Sequence, residues 1–138
     1  MFTAPLITEA DRATLSRLLV LRRSTHQDVR ALVDLSDRLK RSVVVRPGDL
    51  DAGVVTLGST VRIRTVGPGD ERVVTLVVPA LADTSTGRLS VLTPVGMALL
   101  GRREGDTVEV AVPSGRTRFR IAEVVFQPEA AEGRAVAA

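Results

Sequence analysis

The first third of the chain repeats its apolar residues with the period of an α-helix. Leu15 and Leu19 recur at helical spacing behind Thr8, a residue type that caps helix N-termini. A second helix is predicted to start at Thr25, and its periodic run covers residues 29–39. A break of about four residues, 23–26, separates the two helices. So short a break predicts a short antiparallel helical hairpin, of the coiled-coil type, over residues 1–46.

From residue 54 the period changes to two, which is typical of strands that bury one face. Between these strands, Thr93 and Pro94 have the chemistry of a helix N-cap and first turn, and Gly101 ends that helix. The predicted fold class is α+β, with the hairpin followed by an antiparallel sheet domain that carries one helix. The strands are expected over residues 61–66, 72–78, 88–92, 107–112 and 117–126.

Turn-forming residues divide the chain into modules. Proline, glycine and aspartate are concentrated in residues 47–53, which predicts a linker there. The sheet domain is expected over 54–127. The Ala- and Glu-rich residues 128–138 are predicted to form a flexible tail.

Composition excludes several classes of chemistry. The chain has no cysteine and one histidine, His26, so disulfides, thiolate sites and multi-histidine metal sites are excluded. No pair of carboxylates in an apolar setting and no phosphate-binding loop is visible, so we expect no enzyme activity, no catalytic residue, no metal and no cofactor. No apolar run reaches the roughly 20 residues of a membrane span, and the N-terminus is unlike a signal peptide, which favours the cytoplasm.

Charge is distributed unevenly along the chain. Residues 1–50 hold nine basic and six acidic residues, whereas residues 51–138 hold ten of each. A basic hairpin favours nucleic-acid binding as one hypothesis, although its aspartates weaken it. The chain has three phenylalanines and no other aromatic residue, which makes base stacking on an aromatic sheet improbable.

Residues 89–106 carry a specific order of residues: a strand, Thr93-Pro94, small residues, a double leucine, glycine, two arginines and Gly105-Asp106. This order resembles the C-terminal domain of the Gre-type bacterial transcript-cleavage factors. Residues 54–61 and 108–115 resemble other strands of the same domain. Residues 76–80 and 126–131 are most similar to one branch of that family, the regulators of nucleoside diphosphate kinase.

The resemblance implies an FKBP-like C-terminal domain behind a helical hairpin, and binding to RNA polymerase at the rim of its secondary channel. The polymerase-binding residues that it implies are those of the loop and helix start, Ser90, Leu92, Thr93 and Pro94. An exposed, capped helix start offers a rigid turn for such a contact. For each of these residues, an ordinary structural cap is the alternative interpretation.

The hairpin tip is predicted to contain Arg22, Arg23, His26 and Asp28. In the cleavage factors, acidic tip residues bring magnesium to the polymerase, because a hard cation needs oxygen ligands. Here only Asp28 is acidic, and two arginines lie near it. We therefore predict that the protein does not stimulate transcript cleavage.

Other functions remain open at this level. The alternatives are a nucleic-acid-binding module that uses the basic hairpin and a regulator of nucleoside diphosphate kinase, as the branch name suggests. Prolyl isomerase activity is disfavoured, because three phenylalanines cannot line an aromatic proline pocket. Whether the protein activates or inhibits transcription does not follow from the sequence.

Overall fold

A computed structural model of the chain describes residues 4–22, 29–67 and 69–133. It confirms the α+β class, with a helical hairpin followed by a curled, mostly antiparallel sheet. Along the chain the elements are β1 (Leu6–Thr8), α1 (Glu9–Arg22), α2 (Val29–Arg41), β2 (Val43–Val45), β3 (Thr60–Thr65), β4 (Glu71–Val77), β5 (Arg88–Ser90), α3 (Pro94–Leu99), β6 (Thr107–Val112), β7 (Gly115–Phe126) and α4 (Pro128–Ala131).

The main sheet has the strand order β5-β4-β3-β7-β6. The β3–β4 and β6–β7 pairs are antiparallel hairpins, as their turn residues predict, and β3 also pairs antiparallel with β7. Only β5 runs parallel to its neighbour β4. Alternate residues of these strands are buried, so one face of the sheet lies on the core and the other faces outward.

The hairpin helices begin and end close to their predicted positions where the structure describes them. The Asp11 backbone N–H donates to Thr8 Oγ1 at 3.2 Å, which confirms Thr8 as the cap of α1. Leu15 and Leu35 are fully buried between the helices and the sheet. The predicted start of the second helix at Thr25 lies outside the described residues.

Val43–Val45, at the end of the predicted hairpin module, pairs in parallel with Leu6–Thr8. Within residues 47–53, for which a linker is predicted, the side chain of Leu50 is 0% exposed. The Gly53 N–H donates to Asp51 Oδ1 at 2.8 Å. Sequence periodicity missed this arrangement because the partner of a three-residue strand lies far away in the chain.

The end of the sheet domain also extends beyond its predicted boundary at 127. Pro128–Ala131 forms a helical turn, and Glu129 is only 5% exposed. The Thr56 hydroxyl donates to Glu129 Oε1 at 2.8 Å, and Gln127 Nε2 donates to the carbonyls of Asp51 and Val54. The described chain therefore stays packed past the point where the composition predicts a flexible tail.

One hydrophobic core connects the helical hairpin with the sheet. Ile7, Leu15 and Leu35 belong to the same buried cluster as Ile63 and Ile121 of the sheet. The two sequence modules are therefore joined by apolar packing. Within the described residues, no helix is long and apolar enough to cross a lipid bilayer.

Candidate functional site

The turn between β5 and α3 contains the four predicted polymerase-binding residues. The Ser90 carbonyl accepts hydrogen bonds from the Thr93 N–H at 3.1 Å and from the Thr93 hydroxyl at 2.7 Å. Ser90 Oγ accepts from the Leu92 N–H at 3.0 Å, and Thr93 Oγ1 accepts from the Gly96 N–H at 3.1 Å. The side chains of Ser90 and Thr93 therefore hold the turn in shape.

Leu92 and Pro94 have a different environment from these two polar residues. Pro94 is exposed, Leu92 is half-buried, and both line an open groove of about 580 Å³ between α2 and α3. The groove is bounded by both modules of the chain. Its lining residues are Leu92, Pro94, Met97 and Ala98 near α3, Glu109, Val110 and Ala111 on β6, and Arg30, Ala31, Asp34, Asp37, Arg38 and Arg41 on α2.

Arg38 is the most deeply buried charged residue of the groove. It is 8% exposed, and its Nη2 donates to the carbonyl oxygens of Ala98 at 3.2 Å and Leu100 at 2.6 Å. These carbonyls end α3, where helices leave backbone acceptors without partners. Burial, followed by the nearby charges of Arg102 and Arg41, lowers the pKa of Arg38 to about 10.

The rim of the groove carries exposed charges of both signs. Arg30 pairs with Asp34 at 3.7 Å on the surface of α2. Glu109 accepts from Arg116 at 2.8 Å and lies 3.5 Å from Arg118. The hydrogen bond from Arg116 is the largest cause that lowers the pKa of Glu109. The groove thus combines an apolar floor, a buried cation and a mixed-charge rim.

Of the predicted tip residues, the structure describes only the backbone of Arg22, the last residue of α1. Arg23, His26 and Asp28 lie outside the described residues. The four predicted docking residues are brought together, but only Leu92 and Pro94 line the groove.

In the sequence, Arg38 is only one of the nine basic residues of residues 1–50, whereas in the structure it is buried. Arg38 lies one helical turn after Leu35 and two after Leu32, and all three are buried. That spacing of three places them on one helix face. The periodicity of α2 was therefore the signal that could have identified Arg38 as buried. Its charge favoured an exposed position instead.

A helical hairpin joined through one core to a curled five-stranded sheet defines the class of protein. The family described as "Transcription elongation factor, GreA/GreB, C-term" matches residues 50–126. A solved structure titled "Prokaryotic transcription elongation factor GreA/GreB from Nitrosomonas europaea" has a TM-score of 0.73 and 38% sequence identity. It covers 91% of this chain and 100% of that chain.

Two curated relatives agree with this match. The "Regulator of nucleoside diphosphate kinase" of Escherichia coli (strain K12) is 42% identical over 98 residues, which cover 70% of this chain and 72% of that protein. "Transcription elongation factor GreA" of Hyphomonas neptunium is 36% identical over 94 residues, which cover 68% of this chain and 60% of that protein. The chain belongs to the GreA/GreB family of transcription elongation factors, which confirms the resemblance found in its sequence.

Proposed function

We propose that this chain is a non-enzymatic regulator of transcription that binds RNA polymerase near its secondary channel, in the cytoplasm, without stimulating transcript cleavage. The observation that carries the proposal is the rigid turn of the sheet domain, which presents Leu92 and Pro94 at the edge of an open groove. Because hydrogen bonds already fix the turn, little conformational entropy is lost when a partner contacts it.

The absence of cleavage stimulation is argued from the residues between the hairpin helices. A second magnesium ion needs carboxylate ligands, and positions 22–28 offer only Asp28 beside Arg22 and Arg23. With two arginines and one aspartate, this stretch carries net positive charge, which opposes the binding of a cation.

Binding to core RNA polymerase, with and without an authentic cleavage factor as competitor, tests the proposal. We expect the chain to bind and to displace the competitor, and to leave a backtracked transcript uncleaved. Pro94→Glu should weaken binding at least about tenfold, because a charge would be forced into an apolar contact. The absence of both binding and displacement would overturn the proposal.

Pro47→Glu is the matched control. Pro47 also occupies the first position of a helical turn, and it lies outside the groove. We expect it to bind like the unmodified chain. If both variants unfold at the temperature of the unmodified chain and bind equally well, the contact does not involve Pro94.

The two alternative functions are distinguished by the same preparation. Duplex binding with a steep salt dependence, without binding to polymerase, would favour the nucleic-acid hypothesis. A complex with nucleoside diphosphate kinase instead of polymerase would favour the function for which the Escherichia coli relative is named.

A further inference from the structure

The buried guanidinium of Arg38 has no acidic partner among the described residues. The arginines that form ion pairs with acidic side chains among the described residues are Arg30, Arg46, Arg62, Arg64, Arg88, Arg116 and Arg118. The Nη2 of Arg38 donates to two backbone carbonyls, and its Nε is buried without a hydrogen-bond partner. A buried cation that is satisfied only by neutral carbonyls keeps most of its desolvation cost uncompensated.

Two further cations increase the positive potential at this point. Arg41 and Arg102 are close enough to make the charged form of Arg38 less favourable, and Arg41 lines the groove beside it. An incoming negative group would therefore be attracted to Arg38 and Arg41 together. A planar guanidinium also matches the geometry of an oxyanion with two oxygens.

The rest of the groove selects which kind of oxyanion fits. Asp34, Asp37 and Glu109 on its walls would repel a ligand that carries several negative charges, such as a nucleotide. Leu92, Met97 and Ala98 supply apolar surface between these charges. A single carboxylate next to an apolar side chain, as on a protein segment, satisfies both parts of the lining.

We propose that the groove between α2 and α3 receives a carboxylate side chain of the protein partner that docks at Leu92 and Pro94, with Arg38 and Arg41 as its receptor. The inference rests on the proposed function and adds the chemistry of the contact. It also makes docking depend on both modules, because Arg38 and Arg41 belong to the hairpin and Leu92 and Pro94 to the sheet domain.

Two variants test the receptor in binding to core RNA polymerase. Arg38→Gln removes the buried charge and keeps an N–H donor for a carbonyl of α3. Arg41→Glu places a carboxylate one helical turn from Arg38, where it repels or replaces the partner's group. We expect each variant to bind at least about tenfold more weakly, because each removes a positive charge that would pair with the partner's carboxylate in the interface.

Arg120→Glu is the matched control for charge reversal. Arg120 is exposed on β7, at the outward face of the sheet and outside the groove. It should bind within about twofold of the unmodified chain, because it does not line the groove that receives the partner's carboxylate. Thermal unfolding of all three variants identifies a loss that comes from unfolding. If Arg38→Gln fails to fold, the exposed Arg41→Glu decides the result.

The outcomes separate this inference from the proposed function. If the unmodified chain does not bind polymerase, the proposed function fails and the inference fails with it. If the unmodified chain binds and Arg41→Glu binds as well as Arg120→Glu, the carboxylate receptor is wrong and the docking proposal stands. A loss confined to the groove variants supports the receptor.

Discussion

At position 96, an added Cβ atom would lie 2.2 Å from the carbonyl oxygen of Ser90 and 2.9 Å from Thr93 Oγ1. The Ser90 carbonyl is the acceptor that closes the turn before α3, so it cannot move without breaking that turn. Glycine is therefore required at position 96, because α3 and the end of β5 approach too closely to leave room for a Cβ atom.

Gly96→Ala is predicted to destabilise the fold by about 1–3 kcal/mol, the usual cost of forcing an extra methyl group into a packed site. Chemical denaturation measures this loss. Because the substitution disturbs the turn that carries Leu92 and Pro94, polymerase binding should weaken as well.

Gly48→Ala is the control for this prediction. Nothing lies within 4 Å of a Cβ built at position 48, so a methyl group fits there. We expect its free energy of unfolding to change by less than about 1 kcal/mol. Equal destabilisation by both substitutions would contradict the close approach at Gly96.

The helix α4 lies at the start of residues 128–138, for which composition predicts a flexible tail. It closes over residues 51–56 through the side chains of Gln127 and Glu129. Pro128 Cγ would lie 2.9 Å from a Cβ at position 58, so α4 also packs closely on the chain before β3. The helix thus seals one end of the sheet domain.

Two truncations test this role. Ending the chain after Gly133 should leave the midpoint of thermal unfolding unchanged. Ending it after Phe126 should lower the free energy of unfolding by about 2–4 kcal/mol, because the carbonyls of Asp51 and Val54 and the hydroxyl of Thr56 lose buried partners. Equal stability of the two truncated chains would show that α4 does not stabilise the domain.

The outward face of the main sheet collects charges that are scattered in the sequence. Arg62 pairs with Glu71 at 3.2 Å and with Glu123, and Arg64 pairs with Glu71 at 3.3 Å. Between β6 and β7, Glu109 pairs with Arg116. The net charge of zero over residues 51–138 therefore includes arginines and glutamates that pair across this sheet face, which becomes visible only when residues of adjacent strands are brought together.

At the scale of the whole molecule, the hairpin and the sheet form one packing unit. Leu15 and Leu35 are 0% exposed and belong to one buried cluster with residues of the sheet. Arg38 adds a polar connection from α2 to the end of α3. These contacts set the orientation of the hairpin relative to α3 and the turn that precedes it.

Leu35→Ala is predicted to destabilise the entire chain by about 2–5 kcal/mol in a single transition, because a buried leucine is removed from a shared core. Far-ultraviolet circular dichroism and hydrogen exchange of sheet amides should report the same midpoint. Val33→Ala, at an exposed position on the same helix, should change stability by less than about 1 kcal/mol. Loss of helix signal before sheet protection would contradict one cooperative unit.

Sequence periodicity alone determined most of the elements. The cap at Thr8, the two sheet hairpins and the helix that begins after Thr93 all follow from local residue patterns, and the structure contains each of them. The family was also determined by sequence, because the order of residues between Leu89 and Asp106 is local information.

Only the tertiary structure decided which of these residues meet. The β1–β2 pair, the packing of α4 and the burial of Arg38 depend on partners that lie far apart in the chain, at Val43, Thr56 and Leu100. Local propensity carries no information about such pairs, whose contacts form only when the chain folds back on itself. The groove between α2 and α3 is therefore a property of the folded molecule, although the loop that borders it was visible in the sequence.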